Sequence, residues 1–107
     1  MNEVKLLIGG KAIPASNGAT FERKSPISGE TVSVVAAATI ADADAAVAAA
    51  VDAFPAWSAM VPSERRKLLL KAADVMESHA NDFVELGVAE AGSTPIWYGF
   101  NAMLSAN

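Results

Sequence analysis

The stretch from Thr39 to Phe54, "TIADADAAVAAAVDAF", constrains this chain more than any other. Thr39 with Asp42 three residues on has the spacing of a reciprocal helix cap, in which each side chain takes the other residue's backbone amide. Asp42 and Asp44 fall where the positive end of a helix dipole favours carboxylates. The body is mostly alanine, the best intrinsic helix former. A helix beginning here divides the chain: the residues before it read as strands and turns, and those after it as further helices.

Before it, "VKLLIGGKAI" reads as a hairpin whose two apolar runs meet at Gly9-Gly10, a pair able to take the positive φ of a tight turn. Asn17-Gly18 marks a second turn, and "TFERK" a short extended piece. Pro26 and Gly29 punctuate "SPISGE". "TVSVVAA" has the alternation of a strand. After it, Val47, Val51 and Phe54 form a stripe at helical spacing, Pro55 is expected to end the helix, and "PAWSAMVP" to connect. Pro62 suits the first turn of a second helix with Leu68, Ala72, Val75, Met76 and His79 on its apolar side. A third helix starts near Asn81, carries Phe83 and Leu86, and closes near Gly92. Thr94-Pro95 opens a fourth, on which Trp97, Phe100, Leu104 and Asn107 share a face broadened by Ile96 and Met103. The expected order is a β-hairpin and a short strand over residues 1–36, then about four helices over 39–107. The pattern of the fourth helix is still running at Asn107, and the expectation is an incomplete segment of a larger fold.

Composition narrows the chemistry. The chain has 107 residues with 8 Lys plus Arg against 12 Asp plus Glu, a formal net charge of -4. That balance argues against nucleic-acid binding, which wants a basic face. There is no cysteine, so these residues hold no disulfide, no thiolate metal site and no thiol nucleophile. His79 is the single histidine, and its place near a helix end suits a partner of the dipole better than a catalytic base. Gly9-Gly10-Lys11 lacks the spacing of a phosphate loop. Asp42 and Asp44, two apart on a helix, point in different directions and make a poor ligand pair. No secretory signal and no membrane-spanning stretch is visible, so the expectation is a cytoplasmic protein with no membrane partner.

The residues resemble, in order and over essentially the whole chain, the N-terminal segment of the NAD(P)-dependent aldehyde dehydrogenases. "LLIGGKAIPA" is similar to that family's opening hairpin. "SPISGE" stands where it commonly has Asn-Pro-x-Thr-Gly-Glu. "AAVAAAVDAFPAWSAM" is similar to its alanine-rich helix with a Phe-x-x-Trp exit, and "SERRKLLLKAADVME" to the helix after it. "ELGVAEAGSTP" stands where it usually reads Glu-Thr-Gly-Lys-Pro, with Ala91 in place of the usual Thr. "GSTPIWYGFNAMLSAN" resembles the branch acting on aromatic aldehydes, salicylaldehyde and vanillin among them.

The resemblance implies an α/β family fold of which these residues are the N-terminal part, within the cofactor-binding domain. The Rossmann core, the catalytic domain, the nucleophilic cysteine, the oxyanion-hole asparagine and the general-base glutamate would all lie elsewhere. It implies oxidation of an aldehyde to an acid with NAD or NADP in the full-length enzyme, none bound by this segment alone, and a homo-oligomer when complete. It implies a substrate tunnel wall on the last helix at Trp97, Phe100, Asn101 and Leu104, with packed core as the other reading of the aromatics. It implies a monovalent cation held by the backbone carbonyls of Lys24 and Glu90, which otherwise read as surface residues. The rival from another class is a small free-standing interaction module that docks through the aromatic face of the last helix.

Overall fold

The computed structural model describes residues 2–106. Among them, β1 (Asn2–Val4), β2 (Leu6–Ile8), β3 (Lys11–Ile13), β4 (Thr20–Lys24) and β5 (Thr31–Ala36) are followed by α1 (Ile40–Ala59), α2 (Pro62–Ser78), α3 (Ala80–Ala91) and α4 (Pro95–Ala106). The expected hairpin, strand and four helices are all present. The fold divides into two compact units. One holds the strands and α1; the other holds the Ser25–Gly29 turn and the chain from Met60 on.

In the first unit, Gly9 and Gly10 have φ of 58° and 76°, as a tight hairpin turn requires. The turn sets the antiparallel register Leu6↔Ile13, Leu7↔Ala12 and Ile8↔Lys11. The hairpin lies on α1, where a Cβ at Gly9 would be 3.9 Å from the Ala49 Cβ; the small side chains of the helix let the backbone approach. A separate sheet has the order β1-β5-β4, with β5 central. β4 pairs antiparallel to β5, shifting register between Arg23 and Lys24. β1 pairs parallel to β5 through Asn2↔Ser33, Glu3↔Val34 and Val4↔Val35. The central strand is the least exposed part of this unit, with Ser33 fully buried and Ala36 buried.

Three expectations are corrected. The sequence reading has no β1, because three residues are too short to show alternation. Pro55 does not end α1; the helix runs through it to Ala59. A proline removes its own N–H and crowds the preceding turn but does not forbid the helical φ. Here the alanine-rich turns before it and Ala56 to Ala59 after it hold the helix. The third correction concerns α2. Its half-buried residues are Arg65, Ala73 and Met76, whereas Leu68 and Val75 stand exposed. Leucines at 68, 69 and 70 point in three directions, so periodicity alone does not choose the face.

In the second unit, Pro62 takes the first position of α2 after Val61. His79 closes α2 and precedes α3, its N–H donating to the Met76 carbonyl and its Nδ1 lying 2.7 Å from Asp82 Oδ2. Gly92 closes α3 at φ 66°, its N–H donating to the Val88 carbonyl. A Cβ there would also press on Pro26 Cγ at 2.9 Å and on Ile27, so the close fit of the Ser25–Gly29 turn needs glycine as much as the left-handed backbone does. α4 packs on α3 and α2. No helix among the described residues is long and apolar enough to cross a membrane.

Candidate functional site

α4 begins as its sequence directs: the Thr94 hydroxyl accepts from the Trp97 N–H at 3.3 Å, the contact of an N-cap, and Pro95 occupies the first helical position. From there the helix has two unlike sides. Tyr98, Gly99 and Ala102 lie on the covered side, with Ala102 only 7% exposed. The ring of Tyr98 lies against Gly87 of α3, and Val84 of α3 faces Gly99. Small residues with one ring set in a glycine notch bring the two helices close.

The other side carries the candidates. Trp97 is 58% exposed, Phe100 48% and Leu104 55%, with Ile96 and Met103 beside them. Within the described residues neither aromatic is buried. Their ring centroids are 6.5 Å apart and tilted by 35°, within the range of a favourable aromatic pair. Asn107, assigned to the same face by periodicity, lies outside the described residues. Asn101 differs from its fellow candidates. It is half-buried, and its Nδ2 donates to the Trp97 carbonyl at 2.7 Å. Its amide is engaged on its own helix, at the margin of the face.

The two cation candidates stand in different units. Lys24 ends β4, its Nζ 3.7 Å from Glu22 Oε2, and Glu90 is half-buried in the last turn of α3. Asp42 and Asp44 do not act together: Asp44 is exposed, whereas Asp42 is 6% exposed. The Asp42 carboxylate accepts from the Thr39 N–H at 2.8 Å and the Thr39 hydroxyl at 2.9 Å, while the Asp42 N–H donates to Thr39 Oγ1 at 3.2 Å. The expected reciprocal cap is present. The sequence does not show that the same carboxylate also accepts from the Ser16 N–H at 3.1 and 3.2 Å. The Thr39 amide holds the carboxyl of Asp42 below its ordinary value, burial opposes this, and the Ser16 amide and the hydroxyls add to the lowering. Beside this cap, Leu6, Leu7, Ile8, Ala38, Ala43 and Ala46 line a shallow cleft of about 160 Å³. Its lining is apolar apart from Asp42, which is already engaged, and it presents no group free for chemistry.

The model of the aldehyde dehydrogenase family matches residues 13–104, and the chain belongs to that family. It is 56% identical over 107 residues to the vanillin dehydrogenase of Pseudomonas fluorescens, covering all of this chain and 22% of that protein. It also resembles the solved salicylaldehyde dehydrogenase of Pseudomonas putida G7 in complex with salicylaldehyde, with TM-score 0.97, 47% identity and coverage of 100% of this chain and 22% of that one. The NAD-dependent benzaldehyde dehydrogenase of Corynebacterium glutamicum aligns with TM-score 0.91 and 31% identity, over 97% of this chain and 23% of that one. The chain thus spans about a fifth of the length of the relatives it matches, 22% for the first two.

Proposed function

We propose that these residues are the opening part of the cofactor-binding domain of an enzyme that oxidises an aromatic aldehyde to its carboxylic acid with NAD or NADP. The observation that carries the reading is the outward side of α4. A tilted aromatic pair with Leu104 about one turn on makes an apolar wall, which suits a flat aromatic ring and excludes water from it. The names of the relatives, vanillin, salicylaldehyde and benzaldehyde dehydrogenases, support an aromatic substrate.

In this reading Trp97, Phe100 and Leu104 bind and orient the aldehyde, and Asn101 borders the wall. The chain contains no cysteine, so the thiolate that attacks the carbonyl comes from another part of the enzyme, with its oxyanion donors and general base. NAD or NADP, when bound by the complete enzyme, would supply the hydride acceptor. Gly9-Gly10 closes a hairpin instead of opening a helix, so it offers no phosphate cradle, and no residue of this chain is assigned to the cofactor. The isolated chain is accordingly expected to be inactive. The complete enzyme is read as a cytoplasmic homo-oligomer. Its monovalent cation would rest on the carbonyls of Lys24 and Glu90, and equal thermal stability in sodium, potassium and a bulky organic cation would remove that assignment.

The test of the wall is Phe100→Ala in a full-length enzyme carrying these residues. The KM for salicylaldehyde should rise about tenfold, with propanal changed far less, since a truncated apolar pocket discriminates by about that factor. Equal effects on both aldehydes sink the assignment. The exposed face also fits a free-standing module that docks a partner through α4. A sharp, cooperative melt of soluble monomer from the isolated chain favours that reading, because the enzyme fragment would leave apolar surface unpartnered.

A further inference from the structure

We infer that Gly87 and Tyr98 form a steric key that fixes the rotation of α4, and through it the preference for an aromatic over an aliphatic aldehyde; the inference rests on the reading of α4 as a substrate wall. Gly87 sits inside α3, where glycine is disfavoured relative to alanine, and it is the one buried residue of that helix among those described. Its missing side chain has an occupant. A Cβ at this position would lie among the ring atoms Cδ1, Cε1 and Cζ of Tyr98. Elsewhere the covered side of α4 is small: Gly99 meets Val84 at ordinary van der Waals distance, 3.9 Å from an added Cβ, and Ala102, which is buried, is a single methyl, while α4 also packs on α2. With glycine and alanine on either side of it along the covered face, Tyr98 is the one large ring there, among the described residues, that can index the rotation of α4. The Tyr98 ring in the Gly87 notch is that index.

Tyr98 follows Trp97 directly, so the two are about 100° apart around the helix. Ala102, about one turn after Tyr98, continues the covered side, and Phe100 and Leu104 stand with Trp97 on the other. Turning α4 by one residue would take the ring out of its notch and carry all three wall residues round together. A methyl group at residue 87 expels the ring and has the same consequence. Tyr98 touches no substrate in this scheme; it is a positioning residue.

The test measures KM and kcat for salicylaldehyde and propanal in a full-length enzyme bearing Gly87→Ala, Tyr98→Ala, both together, Tyr98→Phe, and Phe100→Ala. Gly87→Ala should raise KM for salicylaldehyde about tenfold and leave that for propanal within about twofold. Tyr98→Phe keeps the ring and should keep the aromatic preference. Tyr98→Ala should lose it, and the double variant should be no worse than the poorer single, because both changes break one contact. Equal shifts for the two aldehydes in Gly87→Ala, or additive effects in the double variant, overturn the key. If Gly87→Ala fails to fold, the contrast between Tyr98→Phe and Tyr98→Ala decides, and equal selectivity in those two overturns it. Phe100→Ala separates the two ideas. If it alone alters selectivity, the wall stands and the key falls; if it too is unselective, the wall reading itself has failed.

Discussion

At the start of α1, a carboxylate gathers amides from Thr39 and from Ser16, 26 residues away in sequence. At the contact of α3 with α4, a ring fills the space above a glycine. The first junction is held by directional polar bonds to a buried carboxylate, and the second by shape. Polar junctions fail when a donor, an acceptor or a proton is changed. Shape junctions fail when an atom is added. The two therefore answer to different perturbations, and the contrast can be tested on each side.

The largest effect should come from Gly87→Ala. Alanine gains about 1 kcal/mol of helix propensity over glycine, but an atom forced into a filled contact typically costs about 1–3 kcal/mol. The intruded atoms belong to the half-buried ring of Tyr98, and the clash is expected to outweigh the gain in propensity. Hydrogen exchange across α3 and α4 should quicken by an amount equivalent to about 1–2 kcal/mol of opening free energy. Slower exchange would mean that the ring moves aside without loss and that shape does not hold this junction.

Next, Asp42→Ala should loosen both the start of α1 and the loop at Ser16, two segments far apart in sequence. Thr94→Ala, which removes one exposed cap contact, should loosen only the first turn of α4, by about 0.5–1 kcal/mol. If Asp42→Ala leaves the amides near Ser16 protected, the carboxylate is a local cap and no tether.

The smallest effect is a dependence on pH. The folded-state pKa of Asp42 lies below its ordinary value of 3.8, so the unfolded chain takes up this proton first as pH falls. Stability from this group is complete above the ordinary carboxylate range and is lost as pH drops through the lower folded value. Protection of the Ser16 amide, its exchange rate relative to that of a free peptide at the same pH, should hold down to about pH 4 and fall below it, and Asp42→Asn should abolish the transition. A transition near neutral pH would point to another group.

The sequence shows local directives well. Thr39 with Asp42, Thr94 with Pro95, Gly9-Gly10 and Gly92 each act within a few residues, and each does in the structure what its residue type does in general. It shows poorly what depends on a distant partner. The parallel pairing of β1 with β5 joins Asn2 to Ser33, and three residues carry no periodic signal. Pro55 reads as a stop because a proline is normally one, and its neighbours override it. The face of α2 is ambiguous because its leucines point all round. At the candidate site, Trp97, Phe100 and Leu104 are legible from spacing and resemblance, and all three are exposed on one side of α4. Asn101 is legible as a position, but its hydrogen bond to the Trp97 carbonyl is not. Gly87 gives no signal beyond being a glycine in a helical stretch, since its meaning lies in an aromatic ring eleven positions on.

The fit of Tyr98 over Gly87 also limits how these residues can vary over generations. A lineage that acquires a larger residue at 87 while the ring is in place passes through a poorly packed intermediate. One that first shrinks residue 98 opens a void that a side chain at 87 could then fill. The two changes are accessible in one order and obstructed in the other, so the history of the pair should show the loss of the ring before the gain of the methyl group.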